Sequence, residues 1–211
     1  MSSALQAIGR AGIVPIVTLD DARLGQRLVE ELVAAELPVV EITLRTPAGM
    51  EAIERAVANV AEAIVGAGSV MSADAATEAL ERGARFLASP GLAADVVQVA
   101  QEADVAVIPG VATATEVLHA VELGVTVVKL FPAEVIGGLA LVDALAAVWP
   151  TVSFVPTGGI DADTVGSYLD HDRVLAVGGS WMIDRTTVAT GDWAAVRAAA
   201  QACARLVESV G

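Results

Sequence analysis

Lys129 is the one lysine in a chain whose other eleven basic residues are all arginine. A compositional bias toward Arg and Ala explains why lysine is missing elsewhere, but not why this position keeps it. The two cations differ in what they can do. A guanidinium stays protonated, whereas a desolvated ammonium can release its proton and attack a carbonyl carbon. Lys129 falls late in the apolar run VTVVKLF, where strand alternation puts it on one face with Val127 and Phe131, opposite Val128 and Leu130. A lysine there is either a buried nucleophile or a side chain whose stem runs from a strand end to solvent.

A second segment carries the groups such a nucleophile would need. In VVEITLRT, Glu41, Thr43 and Arg45 alternate with Val40, Ile42 and Leu44. One face is apolar and suited to packing against helices, and the other is polar. A carboxylate on an inward face is costly unless it is paired or functional. The plain structural alternative is a Glu41–Arg45 contact. Functionally, Glu41 can move protons and Arg45 can hold a carboxylate through its fork of donors. Two glycine pairs follow later, in Pro156-Thr157-Gly158-Gly159-Ile160 and Gly178-Gly179-Ser180-Trp181. Tight turns use the same residues, yet such pairs also let backbone amides converge on an anion.

The elements that must position these residues alternate along the chain. Strands are expected at Ile13–Thr18, Val39–Leu44, Ala63–Gly66, Phe86–Ala88, Val105–Pro109, Thr126–Leu130, Ser153–Pro156 and Val174–Val177. Helical patterns lie between them, at Ala22–Ala35, Pro47–Asn59, Ala75–Arg82, Leu92–Glu102, Ala114–Glu122, Leu139–Val148 and Asp163–Leu169. A last helix runs from about Asp192 to Ser209, and caps are expected at Asp20 or Asp21, at Thr46 before Pro47, and at Asp161. The pattern predicts an α/β protein, a single (β/α)8 TIM barrel with an N-terminal and a C-terminal helix, filling residues 1–211 as one domain. An open doubly wound sheet is the competing architecture, but no G-x-G-x-x-G follows the first strand. In a TIM barrel the chemistry sits at the C-terminal strand ends, and the loops after strands 7 and 8 are a recurrent phosphate site.

Composition narrows the partners. The formal charge is −14, and the basic residues form no run that could neutralise a nucleic-acid backbone. The same charge repels an anionic metabolite at long range, so a phosphorylated substrate needs a local cup of backbone amides and a few cations. No apolar stretch approaches the roughly 18 uncharged residues of a membrane span. The N-terminus has no signal-peptide layout, and the lone Cys203 suits a reducing compartment, so a cytoplasmic location is expected. His119 and His171 lack ligand spacing, and no metal or other cofactor is expected. Cys203 is expected to pack a helix rather than to act as a nucleophile.

Taken together these segments resemble the 2-keto-3-deoxy-6-phosphogluconate (KDPG) aldolases, which include bifunctional 4-hydroxy-2-oxoglutarate aldolases. The resemblance covers roughly Ile13 to Met182. Its most specific element is Gly124-x-x-x-Val128-Lys129-Leu130-Phe131-Pro132-Ala133-Glu134-x-x-Gly137, which looks like the family's Schiff-base lysine motif. Glu41–Thr46 looks like the segment with the catalytic glutamate. Gly66-Ala67-Gly68, Ser89-Pro90-Gly91, Ile108–Thr113 and Pro156–Ile160 are also similar to family blocks. Ser69 stands where the family usually has threonine, which keeps a hydroxyl and loses a methyl. Glu36 replaces a frequent glycine, and Thr18 stands where some relatives place an arginine.

The resemblance implies cleavage of a phosphorylated 2-keto acid into pyruvate and D-glyceraldehyde 3-phosphate, in a homotrimer that needs no cofactor. It implies Lys129 as nucleophile and Glu41 as proton shuttle, with Arg45 and Ser69 on the substrate carboxylate. Gly158, Gly159, Gly179 and Ser180 would bind the phosphate, with Pro109, Phe131 and Thr157 as the pocket wall. A 2-keto-3-deoxy-6-phosphogalactonate aldolase and a phosphate-binding isomerase or epimerase are the enzyme alternatives. A non-catalytic metabolite sensor is a third, though it would have no need of a nucleophile.

Overall fold

The computed structural model describes residues 2–208, so the expected helix end at Ser209 lies outside the described residues. After helix α1 (Ser3–Ala11), the strands are β1 (Ile13–Val17), β2 (Val39–Thr43), β3 (Ile64–Gly68), β4 (Phe86–Ala88), β5 (Ala106–Ile108), β6 (Gly110–Val111), β7 (Val127–Leu130), β8 (Ser153–Phe154) and β9 (Val177–Gly179). The helices between them are α2 (Leu24–Ala34), α3 (Gly49–Asn59), α4 (Ala73–Glu81), α5 (Ala94–Glu102), α6 (Ala114–Glu122), α7 (Gly138–Val148), α8 (Val165–Leu169), α9 (Arg185–Thr190) and α10 (Trp193–Glu208).

All pairings between strands are parallel. Six strands in the order β5-β4-β3-β2-β1-β9 form a half-barrel, and β6-β7-β8 form a second sheet. Only Pro109 separates β5 from β6, and isolated parallel bridges join Phe154 to Val174 and Thr157 to Gly178. Pro15 sits inside β1, and the pairing of β1 with β2 begins one residue later, at Ile16. That is where a residue without an N–H does least harm to the ladder.

Side chains alternate between two apolar layers. Val40, Ile42, Val128 and Leu130 belong to the large cluster under the surrounding helices. Val14, Val39, Phe86, Ile108, Val127, Val155 and Ala176 form a separate inner cluster, which α1 plugs with Ala4 and Ile8. The inner face then changes character at one level. One alternation beyond Val39 stands Glu41, and one beyond Val127 stands Lys129. Space there comes from glycine: a Cβ on Gly66 would lie 2.3 Å from the Phe86 ring. On the outside, buried Glu31 of α2 accepts from Arg27 and from Arg197 of α10, which fastens the last helix to α2.

Several local expectations differ from the structure. The strand expected at Val174–Val177 is displaced to Val177–Gly179, because Gly178 and Gly179 contribute backbone to the β1 ladder without any side-chain signal. The expected strand ending at Pro109 continues beyond it as β6. Neither Asp20, Asp21 nor Thr46 caps a helix. Arg23 and Ala48 hold the N-cap positions without a side-chain capping bond, although Asp21 Oδ1 accepts from Arg23 N–H at 2.9 Å just ahead of α2, and the Thr46 hydroxyl donates to the Leu19 carbonyl. Asp161 accepts from the amides of Asp163 and Thr164 at 3.0 Å, just ahead of α8. Helix α9 was not expected, since RTTVAT has no apolar period; Asp184 caps it by accepting from Thr187 N–H at 2.8 Å.

Candidate active site

Lys129 and Glu41, 88 residues apart in sequence, meet inside the molecule. Lys129 Nζ donates to Glu41 Oε1 at 3.0 Å and Oε2 at 3.1 Å, with both residues at most 5% exposed. The bidentate approach uses both carboxylate oxygens, and β-sheet register holds the two backbones. Glu41 is paired to Ile16 on one side and Gly66 on the other. The Lys129 N–H donates to the Pro109 carbonyl at 2.8 Å, and Lys129 registers with Gly110. Lys129 therefore does not run to solvent, and Glu41 is paired with it rather than with Arg45.

Arg45 leaves the end of β2 and donates from Nε to Ser69 Oγ at 2.9 Å. Ser69 has φ +57, a left-handed conformation that turns the chain at the end of β3. Buried Thr43, on the same inner face as Glu41, shares a 2.8 Å hydroxyl–hydroxyl contact with Thr18.

A cavity of about 400 Å³ opens beside this cluster, and its wall includes Arg45, Phe131, Thr157, Gly158, Gly159, Gly179 and Ser180. Lys129, Glu41, Ser69 and Pro109 are not on that wall. Two residues connect the places: Arg45, through Ser69, and Phe131, whose ring centroid is 6.0 Å from Lys129 Nζ. Pro109 is buried, and its carbonyl is what meets the lysine strand. Thr157 is buried too, and a Cβ on Gly178 would strike its Oγ1 at 2.4 Å.

The Gly158–Gly159 turn is tied down through carbonyls: Ala133 N–H donates to Thr157 C=O at 2.8 Å and Glu134 N–H to Gly158 C=O at 3.0 Å. Both glycines have positive φ, +99 and +85, and a Cβ on Gly159 would lie 2.6 Å from that of Glu134. The turn thus requires glycine at both positions. Sequence reasoning gave no role to Gly68, Ile183, Asp184 or Arg185, although Gly68 lies in the Gly66-Ala67-Gly68 block. Ile183, Asp184 and Arg185 line the cavity directly after the Gly-Gly-Ser-Trp block. Gly68 could have been suspected as the last glycine of VGAGS, beside the glutamate strand.

The histidines stand apart from this site. His171 Nε2 is 2.9 Å from Asp143 Oδ1, and His119 lies in α6. Cys203 is buried in the large core cluster. Among the described residues, no helix is long and apolar enough to cross a membrane.

Known proteins resemble this chain over nearly its whole length. The family model described as KDPG and KHG aldolase matches residues 5–199. A 2-dehydro-3-deoxy-phosphogluconate aldolase of Treponema pallidum is 39% identical, over 98% of this chain and 99% of that one. The crystal structure of the KDPG aldolase of Zymomonas mobilis with 3-phosphoglycerate superposes with a TM-score of 0.88 at 38% identity, over 96% of this chain and 95% of the other. The KDPG aldolase of Legionella pneumophila, with pyruvate captured as a covalent carbinolamine, gives 0.91 at 29% identity, over 95% and 98%. With its lysine, glutamate and glycine turns placed as described, this chain belongs to the KDPG and KHG aldolase family.

Proposed function

We propose that the chain is a class I aldolase that cleaves 2-keto-3-deoxy-6-phosphogluconate into pyruvate and D-glyceraldehyde 3-phosphate through a Schiff base on Lys129. The observation that carries this reading is the buried contact of Lys129 Nζ with both oxygens of Glu41. A primary amine sits there within hydrogen-bond reach of a base, in a site from which water is largely excluded.

The chemistry follows from that contact. Proton transfer from Nζ to Glu41 leaves a neutral amine, which adds to the C2 ketone. The carbonyl oxygen takes a proton, and loss of water from the carbinolamine gives an iminium. Glu41 then accepts the C4 hydroxyl proton while the C3–C4 bond electrons flow into the iminium. Glyceraldehyde 3-phosphate departs and an enamine remains. Protonation at C3 and addition of water release pyruvate and restore the amine. Arg45, with Ser69, holds the carboxylate next to the ketone. Gly158, Gly159, Gly179 and Ser180 bind the phosphate, whose distance from the reacting bond lets its binding energy orient the substrate. Phe131 and Thr157 form the wall between the two ends, and Pro109 holds the Lys129 backbone through its carbonyl. The family description also supports 4-hydroxy-2-oxoglutarate as a second substrate, cleaved to pyruvate and glyoxylate by the same steps.

The same reading treats residues 1–211 as one domain, with the two sheets forming a closed (β/α)8 barrel. Support comes from the single proline between β5 and β6 and from the bridges at Phe154–Val174 and Thr157–Gly178. A homotrimer follows from the family resemblance, and exposed apolar side chains at Met71, Leu118, Val121 and Val135 are surface that an assembly would cover. A cytoplasmic setting is supported by the unpaired, buried Cys203.

The test is direct. Incubation with pyruvate and reduction with borohydride should add one pyruvyl group to the intact protein, mapping to Lys129. Absence of the adduct, together with substrate cleavage by Lys129→Ala, would overturn the reading.

A further inference from the structure

The cavity beside the lysine has two cationic side chains on its wall, Arg45 and Arg185. Arg45 is engaged with Ser69, close to the reacting end. Arg185 is the first residue of α9, next to the Gly-Gly-Ser strand end, and it makes a different kind of contact. Its guanidinium holds Asp20 in a bidentate pair, with Nε donating to Oδ2 at 2.7 Å and Nη2 to Oδ1. Asp20 belongs to the turn after β1, so the pair spans the mouth between the turns that follow β1 and β9. Both side chains are 58% exposed. An ion pair that wet contributes little net stability and is readily exchanged for a better anion.

Resting on the aldolase reading, we propose that Arg185 is the cation that recognises the substrate phosphate, parked on Asp20 until the phosphate enters and then exchanged onto it. The charges around the cavity bear on this assignment. A phosphate ester carries about −1.5 to −2 charges near neutral pH, more than the carboxylate it would displace, and offers the planar guanidinium fork two oxygens at once. Thr18, on the same wall, supplies no charge and has its hydroxyl 2.8 Å from that of Thr43. Asp184 adds a negative charge to the wall, though its Oδ2 already accepts from Thr187 N–H at 2.8 Å and from the Thr187 hydroxyl at 3.0 Å. In a chain of net charge −14, a cup made of amides alone would face that field without a counter-charge. The exchange also explains how one site could discriminate substrates. A tail without phosphate leaves Arg185 on Asp20 and gains nothing from it.

The experiment compares Arg185→Ala, Arg185→Lys and Asp20→Asn with the parent chain. Arg185→Ala should raise KM for the phosphorylated keto acid by about 10- to 100-fold, the range for losing a charge-assisted hydrogen-bonded contact, with a smaller fall in kcat from the looser orientation. Inorganic phosphate, measured by calorimetry, should bind correspondingly more weakly. Borohydride trapping of pyruvate on Lys129 should proceed as in the parent. Arg185→Lys should recover part of the loss, and Asp20→Asn should tighten phosphate binding by freeing the guanidinium. Unchanged KM and phosphate affinity in Arg185→Ala would overturn the proposal. So would equal losses in phosphate affinity and pyruvate trapping, which would mark a structural role. If the parent chain traps no pyruvate, the aldolase reading fails instead, and the phosphate titrations still judge Arg185.

Discussion

Gly68 is without a side chain where Glu41 needs the space: a Cβ there would lie 2.1 Å from Glu41 Oε1 and 2.5 Å from its Cγ. The two residues are on neighbouring strands, so the position of the carboxylate is set by its neighbour's backbone as much as by its own rotamer. Gly68→Ala should push the carboxylate away from Lys129. We expect kcat to fall about 10²- to 10⁴-fold, the range for losing a general acid–base group, and Glu41→Gln to fall as far. Steady-state kinetics decide it. Near-parental turnover in Gly68→Ala would show that the carboxylate has another productive position.

Removing the lysine should cost stability as well as activity. Lys129→Met leaves Glu41 buried without its counter-charge, a situation that typically costs about 3–5 kcal/mol. Adding Glu41→Gln to that variant removes the stranded charge and should return much of the loss. Urea denaturation of the single and double variants measures the difference, and equal stability would contradict it.

Glu31 offers the same contrast outside the site. Its side chain is 2% exposed, while Arg27 and Arg197, at 2.5 Å from its two oxygens, are about half exposed. Changing both arginines to alanine leaves a buried carboxylate alone and should cost about 3–5 kcal/mol. Glu31→Ala frees two guanidiniums that water can reach, so its loss should be clearly smaller. Reversal of that order in chemical denaturation would contradict the account.

Burial raises the Cys203 thiol above its ordinary range. In the unfolded chain the group titrates normally, so at mildly alkaline pH the unfolded state gives up a proton that the native state keeps. Stability therefore falls as pH rises through the ordinary thiol range, and it is unaffected by this group below it. Iodoacetamide at pH 8 should label the native protein slowly and the denatured protein fast. Fast labelling of the native chain would show that α10 opens.

Lys129 and Glu41 could be read from the sequence because alternation in apolar strands is a strong signal and a charge on it stands out. The outer layer was equally legible, from Val40, Ile42, Val128 and Leu130. Backbone-only contributions were not. The β9 ladder is built from Gly178 and Gly179, and hydrophobic periodicity does not register glycine. Caps failed for a related reason, since a hydroxyl such as that of Thr46 has several acceptors within reach and the tertiary one at Leu19 prevailed. Arg185 and Asp20, 165 residues apart, carry no local pattern at all, and only the pairing of the first strand with the last brings them together.

The burial of Lys129 leaves the folded exterior without any ε-amine, every exposed side-chain cation being an arginine. Amine-directed reagents thus have no side-chain handle on the outside of this protein. Succinimidyl esters should spare the side chains of the native surface and acylate the α-amine instead, and lysine-reactive cross-linkers should fail to join copies through their side chains. Any such ester that does reach Lys129 therefore reports, as the one side-chain modification, how often the path to that buried amine is open.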